Sequence, residues 1–235
     1  MKYKQLIFDV DDTLIDFAAT EDSSLHALFK SHKLPLSSDL QKQYHTYNQG
    51  LWRRLELGEI TYEELSEMTF HDFIKEHFSL EVDGNEWMNE YRSYFGEAHQ
   101  LLPGVEDTLK FAKKQGYKLT VLSNGEKFMQ RHRLELAGIK DYFDLIVTSE
   151  EAHYSKPNPY AFDYFFSRTE IGPNETLFFG DGLQSDILGA EKYGFDSIWY
   201  NHRHRKDNIG LHPLFEVETY PEFVKLMQND FKKVY

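Results

Sequence analysis

Beyond about residue 100 the chain alternates short apolar runs with helical patterns, and that alternation constrains its fold most strongly. The runs at 118–122, 145–148, 176–179 and 197–200, with an earlier one at 4–8, have the length and apolar content of buried strands. Helical segments lie between the later ones. PGVEDTLKFAKKQG sets Pro103 near a helix start and Gly116 just past its end, with Val105, Leu109 and Ala112 on one face. FMQRHRLELAG stops at Gly138 and SDILGAEKYG at Gly194. Strands alternating with helices predict an α/β fold, a parallel sheet with helices on both faces.

Residues 17–100 break the rhythm and carry no strand pattern. Leu40, Tyr44, Tyr47, Leu51 and Leu55 recur at helical spacing, and Thr61 with Glu64 forms a capping box ahead of Leu65, Met68 and Phe73. The expectation is an all-helical domain over 17–100, inserted after the first strand of a core made of 1–16 and 101–235. Its many aromatic residues are read first as bundle core.

A net charge of −13 argues against a nucleic-acid polymer as partner, because such an interface needs a basic face. It leaves room for a small phosphorylated metabolite, which needs only local positive charge. No apolar run reaches membrane-spanning length, and the N-terminus lacks the pattern of a cleaved leader. With no cysteine there is no disulfide framework and no thiolate zinc site. The expectation is a cytoplasmic protein, monomeric or homodimeric, without membrane contact.

In an open parallel sheet, ligands bind beyond the carboxyl ends of the strands. Asp9 and Asp11 follow the first strand, Ser123, Asn124 and Gly125 the second, Lys156 the third, and Asp181 and Asp186 the fourth. An EF-hand does not explain the first cluster, since the sixth position counted from Asp9 is Leu14 and the twelfth Thr20. Carboxylates from two strand ends can share a hard divalent cation such as Mg²⁺. Lys156 adds positive charge, and Ser123 with the backbone N–H groups at Asn124 and Gly125 can cradle a phosphate. Each piece alone has a plainer reading as a turn, a surface lysine or a helix cap; the ordered set is far more specific.

With FDVDDTL, LSN, SKP and GDGLQSD in that order, the chain resembles the haloacid dehalogenase-like (HAD) hydrolases. The resemblance implies a Rossmann-like core with a helical C1-type cap, and Mg²⁺-dependent chemistry through an aspartyl phosphate. It implies Asp9 as nucleophile and metal ligand. Asp11 would be the acid and base, its backbone carbonyl also on the metal, and Thr13 would support the loop. Ser123, Asn124 and Lys156 would bind phosphate, Asp181 would bind the metal, and Asp186 would stand behind it. Haloalkanoate dehalogenases lack an acid at the Asp11 position, so Asp11 points to a phosphatase. Gly182 departs from the Ser or Thr of many relatives.

The stretches YNQGLWRRLELGEIT, LLPGVEDTL, YFDLIVTSEEAHYSKPNPYAFDY and SDILGA resemble bacterial pyrimidine 5′-nucleotidases of the YjjG/YfnB type, with Thr69 where relatives often carry Arg. That resemblance implies a nucleoside monophosphate substrate, with Phe17, Tyr47, Trp52 and Arg53 as candidate contacts, and Tyr44 and Arg54 beside them. A phosphatase of another small metabolite, such as a sugar phosphate or phosphoglycolate, and a phosphoaspartate switch or phosphate-binding module are the alternatives. The basic run NHRHRKDN, 201–208, is read first as a solvated loop of an acidic protein.

Overall fold

The computed structural model describes residues 2–56, 59–207 and 209–232. Two compact units emerge: Met1–Phe17 with His99–Tyr235, and Ala18–Ala98. In chain order the elements are β1 (Gln5–Phe8), α1 (Phe17–Ser31), α2 (Ser38–Glu56), α3 (Tyr62–Phe78), α4 (Gly84–Glu97), α5 (Val105–Lys114), β2 (Lys118–Ser123), α6 (Lys127–Leu136), β3 (Leu145–Thr148), α7 (Ser149–Ala152), α8 (Pro159–Phe166), β4 (Thr176–Gly180), α9 (Leu188–Tyr193), β5 (Ser197–Tyr200), β6 (Phe215–Val217) and α10 (Tyr220–Gln228).

All six strands are parallel, in the order β3-β2-β1-β4-β5-β6. The sheet is therefore doubly wound, and the order reverses around β1. Its two faces are buried by different residues. Leu6 and Phe8 point into the cluster with Val121, Phe179 and Phe223, whereas Ile7 packs with Leu122, Phe162, Phe165 and Phe178. Burial on both faces explains why these strands read as unbroken apolar runs. Sequence reading passed over β6, three residues long with Glu216 exposed at the sheet edge. Each of the helix-ending glycines Gly116, Gly138 and Gly194 takes positive φ, 88°, 72° and 91°, where a side chain would be strained.

The second unit is the helical insertion, the cap, built from α1–α4 around Leu25, Phe29, Tyr44, Phe70, Phe73 and Trp87. The capping box forms: Glu64 N donates to Thr61 Oγ1 at 3.2 Å and Thr61 N to Glu64 Oε2 at 2.7 Å. Thr69 is buried and its hydroxyl donates to the Leu65 carbonyl one turn back, 2.7 Å away. Among the described residues no helix is long and apolar enough to cross a membrane.

Candidate active site

The register of β1 and β4 builds the centre of the site. Phe8 lies opposite Phe179, and Asp9 N donates to the Phe179 carbonyl, so Asp9 and Asp181 emerge side by side at the carboxyl ends of adjacent strands. This is where an open sheet of this order forms its ligand crevice. Asp186 joins them from the single π-turn at Leu183–Ile187. Asp9, Asp181 and Asp186 are buried, and each presents a carboxylate oxygen within 4.8 Å of the others. Three hard oxygen donors at that spacing suit a divalent cation of the Mg²⁺ kind.

Lys156 supplies the compensating charge within the protein. Its Nζ lies 2.7 Å from Asp9 Oδ1 and 2.7 Å from Asp186 Oδ1. Burial pushes the Lys156 ammonium toward losing its proton, but Asp186 and Asp9 outweigh it and hold the lysine above its usual range. Burial pushes Asp9 up to about 7 against the pull of Lys156, with Asp186 adding to the rise. Asp181 also rises, by burial and the charges of Asp186 and Asp9, with Arg205 opposing. Burial is the largest cause of both rises and the neighbouring carboxylates add to them, a repulsion that a bound cation would relieve.

The remaining motif residues fall in two sets. Thr13 Oγ1 accepts from Asp181 N at 3.1 Å, and Trp199 Nε1 donates to the Asp181 carbonyl at 3.1 Å, so the loop after β4 is held from both sides. Tyr220 Oη donates to the Thr13 carbonyl. Asp186 has both oxygens occupied, Oδ1 by Lys156 and Ser185 and Oδ2 by Gly182 N at 2.9 Å. A β-carbon at Gly182 would stand 2.1 Å from Ser185 Oγ, so here the hydroxyl beside Asp186 belongs to Ser185. Asn124 spends its side-chain amide on the backbone of Lys156, accepting from Lys156 N at 2.7 Å and donating to its carbonyl at 2.9 Å. It anchors the lysine loop through both ends of its amide.

Asp11 lies apart from the three-carboxylate group. Its Oδ1 accepts from Arg133 Nη1 and its Oδ2 from Gln130 Nε2, both at 2.7 Å, and the same Gln130 nitrogen lies 3.0 Å from Ser123 Oγ. The basic run after β5 is not simply solvated. Arg203 Nη2 lies 2.5 Å from Asp12 Oδ1, and Arg205 Nη2 lies 3.1 Å from Asp181 Oδ2. Its last residue, Asn208, lies outside the described residues. Sequence reading passed over Arg133, Gln130, Arg203 and Arg205 as site residues. Only the position of the two loop arginines after a strand end hinted at their place.

The candidate substrate residues sit as follows. Phe17 N donates to Asp12 Oδ1 at 3.2 Å. In the cap, Tyr47 spends its hydroxyl on the Met68 carbonyl at 2.8 Å and packs on Phe73. Trp52 is 43% exposed, edge-on to Tyr62, and Arg53 is exposed. Tyr44 is wholly buried against Phe70 and Phe73, which makes it bundle core, and Arg54 pairs with Glu59 at 3.8 Å. Leu57 and Gly58, inside the stretch that carried the resemblance, lie outside the described residues.

Comparison with known proteins identifies the family. The model of the haloacid dehalogenase-like hydrolases matches residues 3–194. The chain is 34% identical over 227 residues to the HAD-hydrolase YfnB of Bacillus subtilis, covering 96% of each chain. It is 32% identical to the pyrimidine 5′-nucleotidase PynA of Streptococcus pneumoniae, covering 98% of this chain and 97% of that one, and 30% identical to the pyrimidine 5′-nucleotidase YjjG of Escherichia coli, covering 97% and 99%. The crystal structure of YfnB bound to magnesium superposes with a TM-score of 0.92, covering 97% of this chain and 99% of that one. With a doubly wound core, an all-helical insertion after β1 and a family match over most of its length, the chain belongs to the haloacid dehalogenase-like hydrolases.

Proposed function

We propose that this chain is a Mg²⁺-dependent phosphatase that works through a phosphoaspartate on Asp9, and that its substrates are pyrimidine nucleoside 5′-monophosphates. The observation that carries the reaction is the buried Lys156 ammonium bridging Asp9 and Asp186 beside Asp181, with a second aspartate, Asp11, two residues beyond Asp9. Asp9 and Asp181 would hold the cation directly, with the Asp11 backbone carbonyl, and Asp186 would orient Lys156 and the Gly182 loop. When bound, the cation supplies positive charge to the phosphoryl oxygens and to the carboxylates that face one another.

The chain's own groups then account for both halves of the reaction. An Asp9 oxygen bonds to phosphorus as the ester P–O bond breaks, and the departing oxygen takes a proton from Asp11. Water next bonds to phosphorus and gives a proton to Asp11. The Asp9–phosphorus bond breaks, releasing phosphate and restoring the carboxylate. Lys156, Ser123 and the backbone N–H groups at Asn124 and Gly125 donate to the phosphoryl oxygens throughout, which is the positioning and charge stabilisation this transfer requires.

The choice of substrate rests on PynA and YjjG, both pyrimidine 5′-nucleotidases by name and both matched over at least 97% of their own length. In the cap, Trp52 and Arg53 are the exposed candidates for the base, since the Tyr47 hydroxyl is already bonded within the bundle. The test is Mg²⁺-dependent phosphate release from a panel of nucleoside monophosphates, sugar phosphates and phosphoglycolate, with Asp9→Asn as control. Selective release from pyrimidine monophosphates, lost in the variant, is expected. Preference for a sugar phosphate would overturn the substrate and keep the chemistry; full activity in Asp9→Asn would overturn the chemistry.

A further inference from the structure

We infer that Gln130 and Arg133, on α6, are positioning residues that hold the Asp11 carboxylate and the Ser123 hydroxyl as one unit. The inference rests on the phosphatase reading above and adds residues outside the four motifs. Three residues apart, Gln130 and Arg133 share a helix face. That face is buried: Arg133 is 0% exposed and Gln130 2%. A guanidinium taken wholly out of water is costly unless it is paired and hydrogen-bonded. Arg133 meets that condition at Asp11, donating to Oδ1 at 2.7 Å.

The geometry gives each donor a task. Arg133 Nη1 also lies 3.2 Å from Gln130 Oε1, which fixes the orientation of the Gln130 amide and turns its nitrogen away from Arg133. Gln130 Nε2 carries two hydrogens. One goes to Asp11 Oδ2 at 2.7 Å and the other to Ser123 Oγ at 3.0 Å. Because the serine oxygen accepts there, its own O–H is left to donate to a phosphoryl oxygen. The same amide therefore sets where Asp11 sits and which way Ser123 donates. Gly125 completes the arrangement: a β-carbon on it would lie 2.3 Å from Gln130 Nε2 and 2.6 Å from its Cγ, and would push the amide off both partners.

The test separates positioning from folding by using p-nitrophenyl phosphate, whose leaving group departs without a proton. Formation of the phosphoenzyme then does not need Asp11, whereas its hydrolysis does. In rapid-mixing assays with Mg²⁺, Gln130→Met and Arg133→Met should keep a stoichiometric burst of p-nitrophenolate, while the following steady rate falls about ten- to hundredfold, the size expected when a reacting group is misplaced, and KM falls with it, because kcat/KM reports only the first step. Gly125→Ala should behave like Gln130→Met, and Arg133→Lys should recover part of the steady rate. If Arg133→Met fails to fold by circular dichroism, Gln130→Met and Gly125→Ala carry the test. Loss of the burst altogether, or a steady rate that does not move, while Asp11→Asn shows the burst, overturns this inference alone. No turnover by the unaltered protein, or an undiminished rate in Asp9→Asn, overturns the phosphatase reading beneath it.

Discussion

Lys156 is the internal answer to the charge gathered at the end of β1, and removing that charge tests the account directly. Lys156→Met keeps most of the side-chain stem and deletes the ammonium. The lysine side chain is only 2% exposed, its partners Asp9 and Asp186 are 12% and 1% exposed, and both contacts are 2.7 Å, so solvent screens the interaction little. Breaking a buried pair by removing one partner costs about 3–5 kcal/mol, because the other charge stays buried without compensation. In a unit of this size each kcal/mol shifts the unfolding midpoint by about 2–4 °C, which predicts a fall of about 6–20 °C. The assay is thermal and urea unfolding of both proteins in chelator at neutral pH, followed by circular dichroism. Adding Mg²⁺ should narrow the gap, since a cation on the same carboxylates replaces part of the missing charge. A variant within about 1 kcal/mol of the parent in chelator would refute the reasoning, for that is the worth of an exposed pair and not of a buried one.

Three further outcomes follow from particular contacts. Arg205, 42% exposed and 3.1 Å from Asp181, repels a cation at that carboxylate; Arg205→Gln should tighten Mg²⁺ binding by up to about fivefold in titration calorimetry, the ceiling for an exposed pair. Burial pushes the Asp144 carboxyl up, but hydrogen bonds from Lys113 and Leu119 N outweigh it and hold it below its usual value. A depressed folded value means stability present above the unfolded pKa and lost as pH falls through the folded one, so in urea titrations Asp144→Asn should be less stable than the parent at neutral pH, with the gap closing in acid. Gly84→Ala would set a β-carbon 1.9 Å from the Glu67 carbonyl oxygen, backbone against backbone, and should lower the stability of the cap by about 1–3 kcal/mol in urea unfolding.

Local chemistry alone carried the reading of the fold a long way. A strand buried on both faces must be apolar throughout, and a helix that ends in a left-handed turn favours glycine, so β1–β5 and the ends of α5, α6 and α9 were legible as spacing. The polar residues at successive strand ends marked Asp9, Ser123, Lys156, Asp181 and Asp186, because in such a sheet these ends meet. What stayed hidden are contacts between elements far apart in the chain. Arg133 reaches Asp11 across 122 positions and Arg203 reaches Asp12 across 191. Nothing local distinguishes Arg133 from the other charges of α6, or Arg203 from its basic neighbours in the loop. Their partners depend on which helix face the crossover turns inward, and Trp52 and Tyr47, equally aromatic and five residues apart, likewise part ways only once α2 packs on α3. By itself the sequence determined the layered architecture and the chemistry at the strand ends, because both follow from local periodicity and residue type. Which buried polar groups hold that chemistry in place was decided only by tertiary packing, because the partners a polar side chain finds in the interior are set by the elements brought against it.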